Sequence, residues 1–143
     1  MYDRVACLKN CLSSVRSLTF KDYEHIVVSD HPEASIVNKI QELISSQDDR
    51  RVIYYDLPER ENNWGHASAE FGLKHATGLY VAFLADDNGY LPKRFESLIA
   101  LMDADPALSF VYTSCYYAHF GGILNWPAPS GGKIDFGQPL FRR

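Results

Sequence analysis

Asp86 and Asp87 stand together at the end of an uncharged run, Tyr80-Val81-Ala82-Phe83-Leu84. The run is mostly β-branched or aromatic and reads as a strand buried on both faces, as in a parallel sheet. Asn88-Gly89 supplies a turn directly after the acids. In an open α/β sheet, ligands bind outside the carboxyl ends of the strands. Two carboxylates placed there suit a divalent cation and, through it, the charge of phosphate groups. The competing reading is a polar turn over residues 86–88 that caps a helix starting near Pro92.

Hydrophobic periodicity predicts the elements that hold this pair. Val5, Leu8, Leu12 and Val15 recur at helical spacing, so an amphipathic helix is expected over 4–17. HIVVS, residues 25–29, predicts a short buried strand closed by Asp30-His31-Pro32. Ser35 is placed to cap a second helix running to about 45, with Ile36, Ile40, Leu43 and Ile44 inward. Residues 52–55 form the next strand, and the polar stretch 57–65 is longer than a plain connector needs. A helix over 66–75, stopped near Gly78, leads into the strand at 79–84. After the acidic turn comes a helix over 92–104 with Phe95, Leu98, Ile99 and Met102 inward, then a strand at 110–113. The Gly/Pro-rich remainder reads as loop and site lining. Alternation of strands with helices predicts an α/β protein with a parallel sheet.

With 143 residues and 46% hydrophobic side chains, the chain fits a single domain. A net charge of −4 argues against a nucleic-acid-binding surface. No apolar run approaches the roughly 20 residues that cross a bilayer. The start, MYDRVACLKNC, carries charges where a signal peptide needs its apolar core. Cysteines 7, 11 and 115 lack CxxC spacing, and Cys7 and Cys11, four apart on a helix, suit small apolar packing. These features fit a reducing cytoplasm.

In their order along the chain, four segments resemble the family 2 glycosyltransferases, inverting enzymes of the GT-A fold that use nucleotide-diphosphate sugars. Tyr2-Asp3-Arg4 followed by CLSSVRSLTFKDYEHIVVSD is similar to the family's Tyr-Asn-Arg loop, first helix and second strand. NNWGHASAEFGLKHATGLYVAFL is similar to its Asn/Gly-bearing helix and the strand after it. ADDNGYLP resembles the metal-binding DXD region with its following proline, and GKIDFGQPLFRR the stretch carrying the catalytic carboxylate. The resemblance implies a three-layer αβα sandwich, Rossmann-like, with a mainly parallel sheet. It implies one partial domain over 1–143, with 1–114 binding the nucleotide-sugar and 115–143 beginning the acceptor side. Residues are expected to be missing at both ends relative to the intact fold.

The chain also departs from the family pattern. The first strand, which leads into Tyr2 and lies centrally in the sheet, is absent. Ser29 stands where many members have the first Asp of a pair, Ala85 replaces the first acid of a fuller acidic triple, and Glu70 sits where Asn is usual. These departures bear on catalysis more than on fold.

For individual residues the resemblance implies that Asp87 ligates Mn²⁺ or Mg²⁺, with Asp86 contacting the ribose or orienting the metal's shell. Asp30 would accept a hydrogen bond from the nucleobase and Tyr2 would stack on it; the alternatives are a helix cap and a frayed terminus. Asp135, between Gly132 and Gly137, is implied as the general base for the acceptor hydroxyl, against a loop Asp bonded to its own turn. Trp64, near His66, covers the donor or takes a core or lid-packing role. Trp126, flanked by Pro127 and Pro129, offers a sugar platform or a loop anchor. His25, His31, His75 and His119 show no metal spacing and read as structural.

The implied function is metal-dependent, inverting transfer of a sugar from a nucleotide-diphosphate donor, a UDP-sugar first among them. The acceptor is a glycan, a lipid-linked molecule or another hydroxyl compound. The location is the cytoplasm or the inner face of the membrane, with peripheral association. Self-association that replaces the missing strand is a further expectation; nucleic acid is not an expected partner. The alternative is a degenerate or truncated domain that holds nucleotide-sugar without turnover, and calorimetry beside donor hydrolysis separates the two.

Overall fold

A computed structural model of the chain describes residues 4–118, 121–124 and 134–143. The expectations for Tyr2, His119 and Trp126 lie outside the described residues. Leu8, Cys11, Leu12 and Val15 repeat every three or four positions and are the buried face of α1 (Arg4–Arg16). After it come β1 (His25–Ser29), α2 (Ala34–Gln47) and β2 (Val52–Asp56). β1 and β2 pair in parallel, from His25 opposite Val52 to Ser29 opposite Asp56, with α2 as the crossover. Leu8 and Leu12 meet Ile40 of α2, and Val27, Val52 and Tyr54 pack against them from the strands. Ser35 does not cap α2. Glu33 is the N-cap and makes no side-chain bond, its carbonyl accepting from the Ile36 and Val37 amides. The helix therefore starts two residues earlier than the capping pattern suggests.

α3 (His66–His75) leads to β3 (Tyr80–Ala82), α4 (Arg94–Ala104) and β4 (Phe110–Tyr112). β5 (Cys115–Tyr117) and β6 (Gly122–Leu124) form an antiparallel hairpin, and β7 (Pro139–Arg142) closes the chain. β7 runs between β3 and β4, antiparallel to both, so that Leu140 stands opposite Ala82 and Val111. Leu140 then packs on Leu98 and Met102 of α4, the centre of a second core. Residues 139–142, expected as loop, are thus the middle strand of a sheet. Their apolar run Pro139-Leu140-Phe141 is too short to show a strand period in sequence.

The fold is mixed α/β. Among the described strands only β1 and β2 run parallel; the three-stranded sheet and the hairpin are antiparallel. Neither β1 nor β3 is buried on both faces. Every residue of each is half-buried, and Leu79 is 79% exposed. The cause is topological: each of these strands has one neighbour, and its other edge carries no strand among the described residues.

Several contacts tie the β1–β2 pair to the region of the three-stranded sheet. The Glu24 carboxylate, just before β1, accepts from the Thr77 amide (2.6 Å), the Thr77 hydroxyl (2.8 Å) and the Gly78 amide (3.2 Å) ahead of β3. α3 lies on β1 closely enough that a Cβ at Gly72 would sit 3.7 Å from the Val28 side chain. The segment after α1 reaches the chain after β3, where the Thr19 amide donates to the Pro92 carbonyl at 2.8 Å. Among the described residues no helix is long and apolar enough to cross a membrane.

Candidate functional site

Beyond β3 the chain turns at 85–88, with the Asn88 amide donating to the Ala85 carbonyl at 3.0 Å. The turn carries Asp86 and Asp87 and is strapped to α1. The Tyr90 amide donates to Ser14 Oγ at 3.1 Å, and the Tyr90 hydroxyl donates to the Phe83 carbonyl at 2.5 Å. A Cβ at Gly89 would lie 3.2 Å from Ser14 Cβ, so any larger residue there would press the turn against the helix. The acids do not cap α4, whose N-cap is Lys93 with no side-chain bond.

Both carboxylates face one cation. Arg4, in the first turn of α1, places one guanidinium nitrogen 2.5 Å from Asp86 Oδ1 and the other 3.5 Å from Asp87 Oδ2. Burial raises the Asp86 pKa, Arg4 draws it back, and the Asp87 charge raises it again. Burial, with the charges of Asp86 and Asp87, pushes the neighbouring Cys11 thiol up to about 12, so it remains protonated and unreactive. Among the described residues no group of three or more His, Cys, Asp or Glu side chains is arranged to hold a metal ion. The pair already accommodates one cationic group, and its hard oxygen donors fit a divalent ion whose other positions are left to a ligand.

Asp135 lies on the segment leading into β7. Its Oδ1 accepts from the Gly137 amide at 2.9 Å, while a Cβ on Gly137 would be 3.7 Å from the Phe83 carbonyl. The segment thus runs beside the strand end that carries the acid pair. Gln138, 2% exposed, fixes it: its Oε1 accepts from the Asp135 amide at 2.6 Å and its Nε2 donates to the Thr113 carbonyl at 2.6 Å. Arg94 donates to the Gln138 carbonyl at 2.6 Å and to Thr113 Oγ1 at 2.5 Å, and lies 4.6 Å over the Tyr90 ring. Burial raises the Tyr90 hydroxyl pKa, the Arg94 guanidinium draws it back, and the Asp135 charge adds to the rise. Tyr90 therefore stands between the surroundings of the acid pair and those of Asp135. The turn bond at Oδ1 is the one expected of a loop Asp bonded to its own turn.

Asp30 holds a loop rather than a helix. Its Oδ1 accepts from the Glu61 amide (2.8 Å) and its Oδ2 from the Asn62 amide (2.9 Å). The loop it holds takes left-handed backbone at Asn62 (φ 49°), Trp64 (φ 61°) and Gly65 (φ 82°). Trp64 is 99% exposed, so its indole packs on nothing as a lid.

A cluster that periodicity does not reveal sits at the carboxyl ends of β1 and β2. Ser29 Oγ lies 2.7 Å from the Tyr54 hydroxyl and also donates to Asp56. His31 Nδ1 lies 3.4 Å from Asp56 Oδ2 and 2.9 Å from the Leu57 carbonyl. His31, Pro32, Ala34, Val37, Asn38 and Asp56 line a cavity of about 300 Å³ there. The usable sequence signal is the matched ends of two parallel strands, which sets Ser29 opposite Asp56.

A family model described as glycosyl transferase family 2 matches residues 1–138. The chain is similar to an uncharacterized glycosyltransferase of Methanocaldococcus jannaschii, 30% identical over 120 residues that cover 82% of this chain and 39% of that protein. It is similar to a GalNAc(5)-diNAcBac-PP-undecaprenol beta-1,3-glucosyltransferase of Campylobacter jejuni, 26% identical over 85% of this chain and 38% of that protein. An uncharacterized glycosyltransferase of Haemophilus influenzae is 25% identical over 78% of this chain and 35% of its own length. The chain spans less than two fifths of the length of these relatives.

Proposed function

The chain belongs to glycosyl transferase family 2, and on that premise we propose that it forms the donor-binding part of a metal-dependent, inverting glycosyltransferase. The observation that carries this reading is the convergence of Asp86 and Asp87 on a single cationic group at the carboxyl end of β3. Asp87 holds Mn²⁺ or Mg²⁺, and Asp86 orients the ion's shell or the donor ribose. A divalent ion bound there neutralises charge on the departing nucleoside diphosphate. Asp135 takes the proton of the acceptor hydroxyl as that oxygen attacks the anomeric carbon, and a single inverting displacement needs only this one base. Asp30 anchors the 57–65 loop and is the group nearest in type to a nucleobase reader, with Tyr2 as its stacking partner and Trp64 as the donor's cover. The donor is a UDP-sugar. The name of the Campylobacter jejuni relative supports a lipid-linked glycan as acceptor, and with it peripheral contact with the inner face of a membrane. This reading also includes a single three-layer αβα sandwich.

Calorimetry with UDP in the presence and absence of Mn²⁺ tests it. UDP binding is expected to tighten with Mn²⁺, and Asp87→Asn is expected to remove that gain. UDP binding indifferent to Mn²⁺ in the unaltered chain refutes the metal-dependent reading. The partners already held by both oxygens of Asp30, and by both acids of the pair, favour a second reading, a nucleotide-sugar-binding domain without turnover. Tight UDP binding without donor hydrolysis selects it.

A further inference from the structure

Arg4 opens a helix at the end where a positive charge is disfavoured, and the first turn of α1 contains no acid to offset it. What holds the guanidinium is the acid pair, 82 residues away in sequence. The contact uses both guanidinium nitrogens, one to each carboxylate. The Arg4 side chain is 62% exposed, so it can swing away without opening the core, whereas the Asp86 side chain is 29% exposed. A divalent ion needs carboxylate oxygens at roughly 2.0 to 2.6 Å. Those oxygens cannot also keep a guanidinium at hydrogen-bond distance without setting two cations side by side.

We propose that Arg4 is a built-in counter-cation of Asp86 and Asp87, displaced when a divalent ion enters and then turned onto the donor's diphosphate. The proposal rests on the donor-site reading above and adds a positioning residue to it. Guanidinium is suited to the second task, since its planar fork pairs with phosphate oxygens in bidentate fashion. Its base at the start of α1 keeps it where backbone amides and the helix dipole also favour an anion. The consequence is synergy: the metal alone competes with Arg4, whereas metal and nucleotide together give Arg4 a new partner.

The test uses the whole chain and its Arg4→Gln variant at low ionic strength. Free Mn²⁺ is followed by electron paramagnetic resonance without nucleotide, and UDP binding with Mn²⁺ is then measured by calorimetry. Arg4→Gln is expected to bind Mn²⁺ alone about fivefold tighter and UDP with Mn²⁺ about fivefold weaker, the scale of one partly exposed ion pair. A purely structural role does not give shifts of opposite sign. Arg4→Lys keeps the charge without the fork, so its Mn²⁺ affinity should stay near that of the unaltered chain while UDP still weakens. Equal or weaker Mn²⁺ binding by Arg4→Gln, in a chain whose unaltered form binds UDP with Mn²⁺, overturns the role of Arg4 and leaves the donor site standing. Absence of Mn²⁺ binding in both chains, with and without UDP, overturns the donor-site reading and this proposal together.

Discussion

Leu8, Leu12 and Ile40 build one core from elements that follow one another directly, α1, β1, α2 and β2. Leu98 and Met102 build the other only when Leu140 arrives from the last strand, β7, threaded between β3 and β4. The first core is a local strand–helix–strand unit capped by α1; the second depends on contacts made across long stretches of chain. Each presents polar groups at strand ends, Asp30 and Asp56 in the first, Asp86, Asp87 and Asp135 in the second. The site needs both, because Arg4 belongs to the first and its carboxylate partners to the second. Glu24 and α1 are the ties that hold them in register.

The largest expected effect asks whether these ties make one cooperative unit. Met102 is fully buried and Ile40 is 7% exposed. Met102→Ala should cost about 3 to 4 kcal/mol and Ile40→Ala slightly less, through lost burial and the cavity left behind. In urea both variants are expected to show a single transition with a lower midpoint and an unchanged slope. Two transitions, with one moved by each variant, would break the molecule into independent halves.

A smaller effect isolates what is particular to the second region. Gln138→Leu leaves the Asp135 amide and the Thr113 carbonyl without their partner. That should cost about 2 to 3 kcal/mol and expose the Asp135 amide to hydrogen exchange while amides of β1 stay protected. Unchanged protection at Asp135 would show that the segment is held by β7 pairing alone.

The smallest expected effect belongs to the first region. Burial pushes the His25 imidazole from its ordinary value of 6.5 down to about 4, against the opposing charge of Asp49. Between those values the unfolded chain binds a proton that the folded chain refuses, so stability falls as pH drops from 6.5 toward 4. The loss should be on the order of 2 kcal/mol. Urea midpoints measured across that window should drop for the unaltered chain and stay flatter for His25→Leu; equal slopes would remove His25 from the account.

Helical and strand periods are local, and this made α1, β1, α2, β2 and α3 readable within a residue or two of their ends. The spacing of Phe95, Leu98, Ile99 and Met102 likewise marks the inner side of α4 correctly. The acid pair was legible as well, since a charge doublet after an apolar run marks a strand end whatever lies beside it. The four-segment resemblance led to the family that the comparisons show.

Other features have no local signature. Pro139 to Arg142 become a central strand because β3 and β4 both present edges that one antiparallel segment satisfies, a pairing that no window of neighbouring residues records. Asp30 spends its oxygens on the backbone of a loop some 30 residues away, as the Glu61 and Asn62 bonds show. Arg4 meets Asp86 because α1 packs against the turn after β3, at a point where Gly89 lets the backbone come close. Residue types and their periods were written along the chain. Which charges neutralise one another was settled by packing, since that depends on distances through space that sequence separation does not measure.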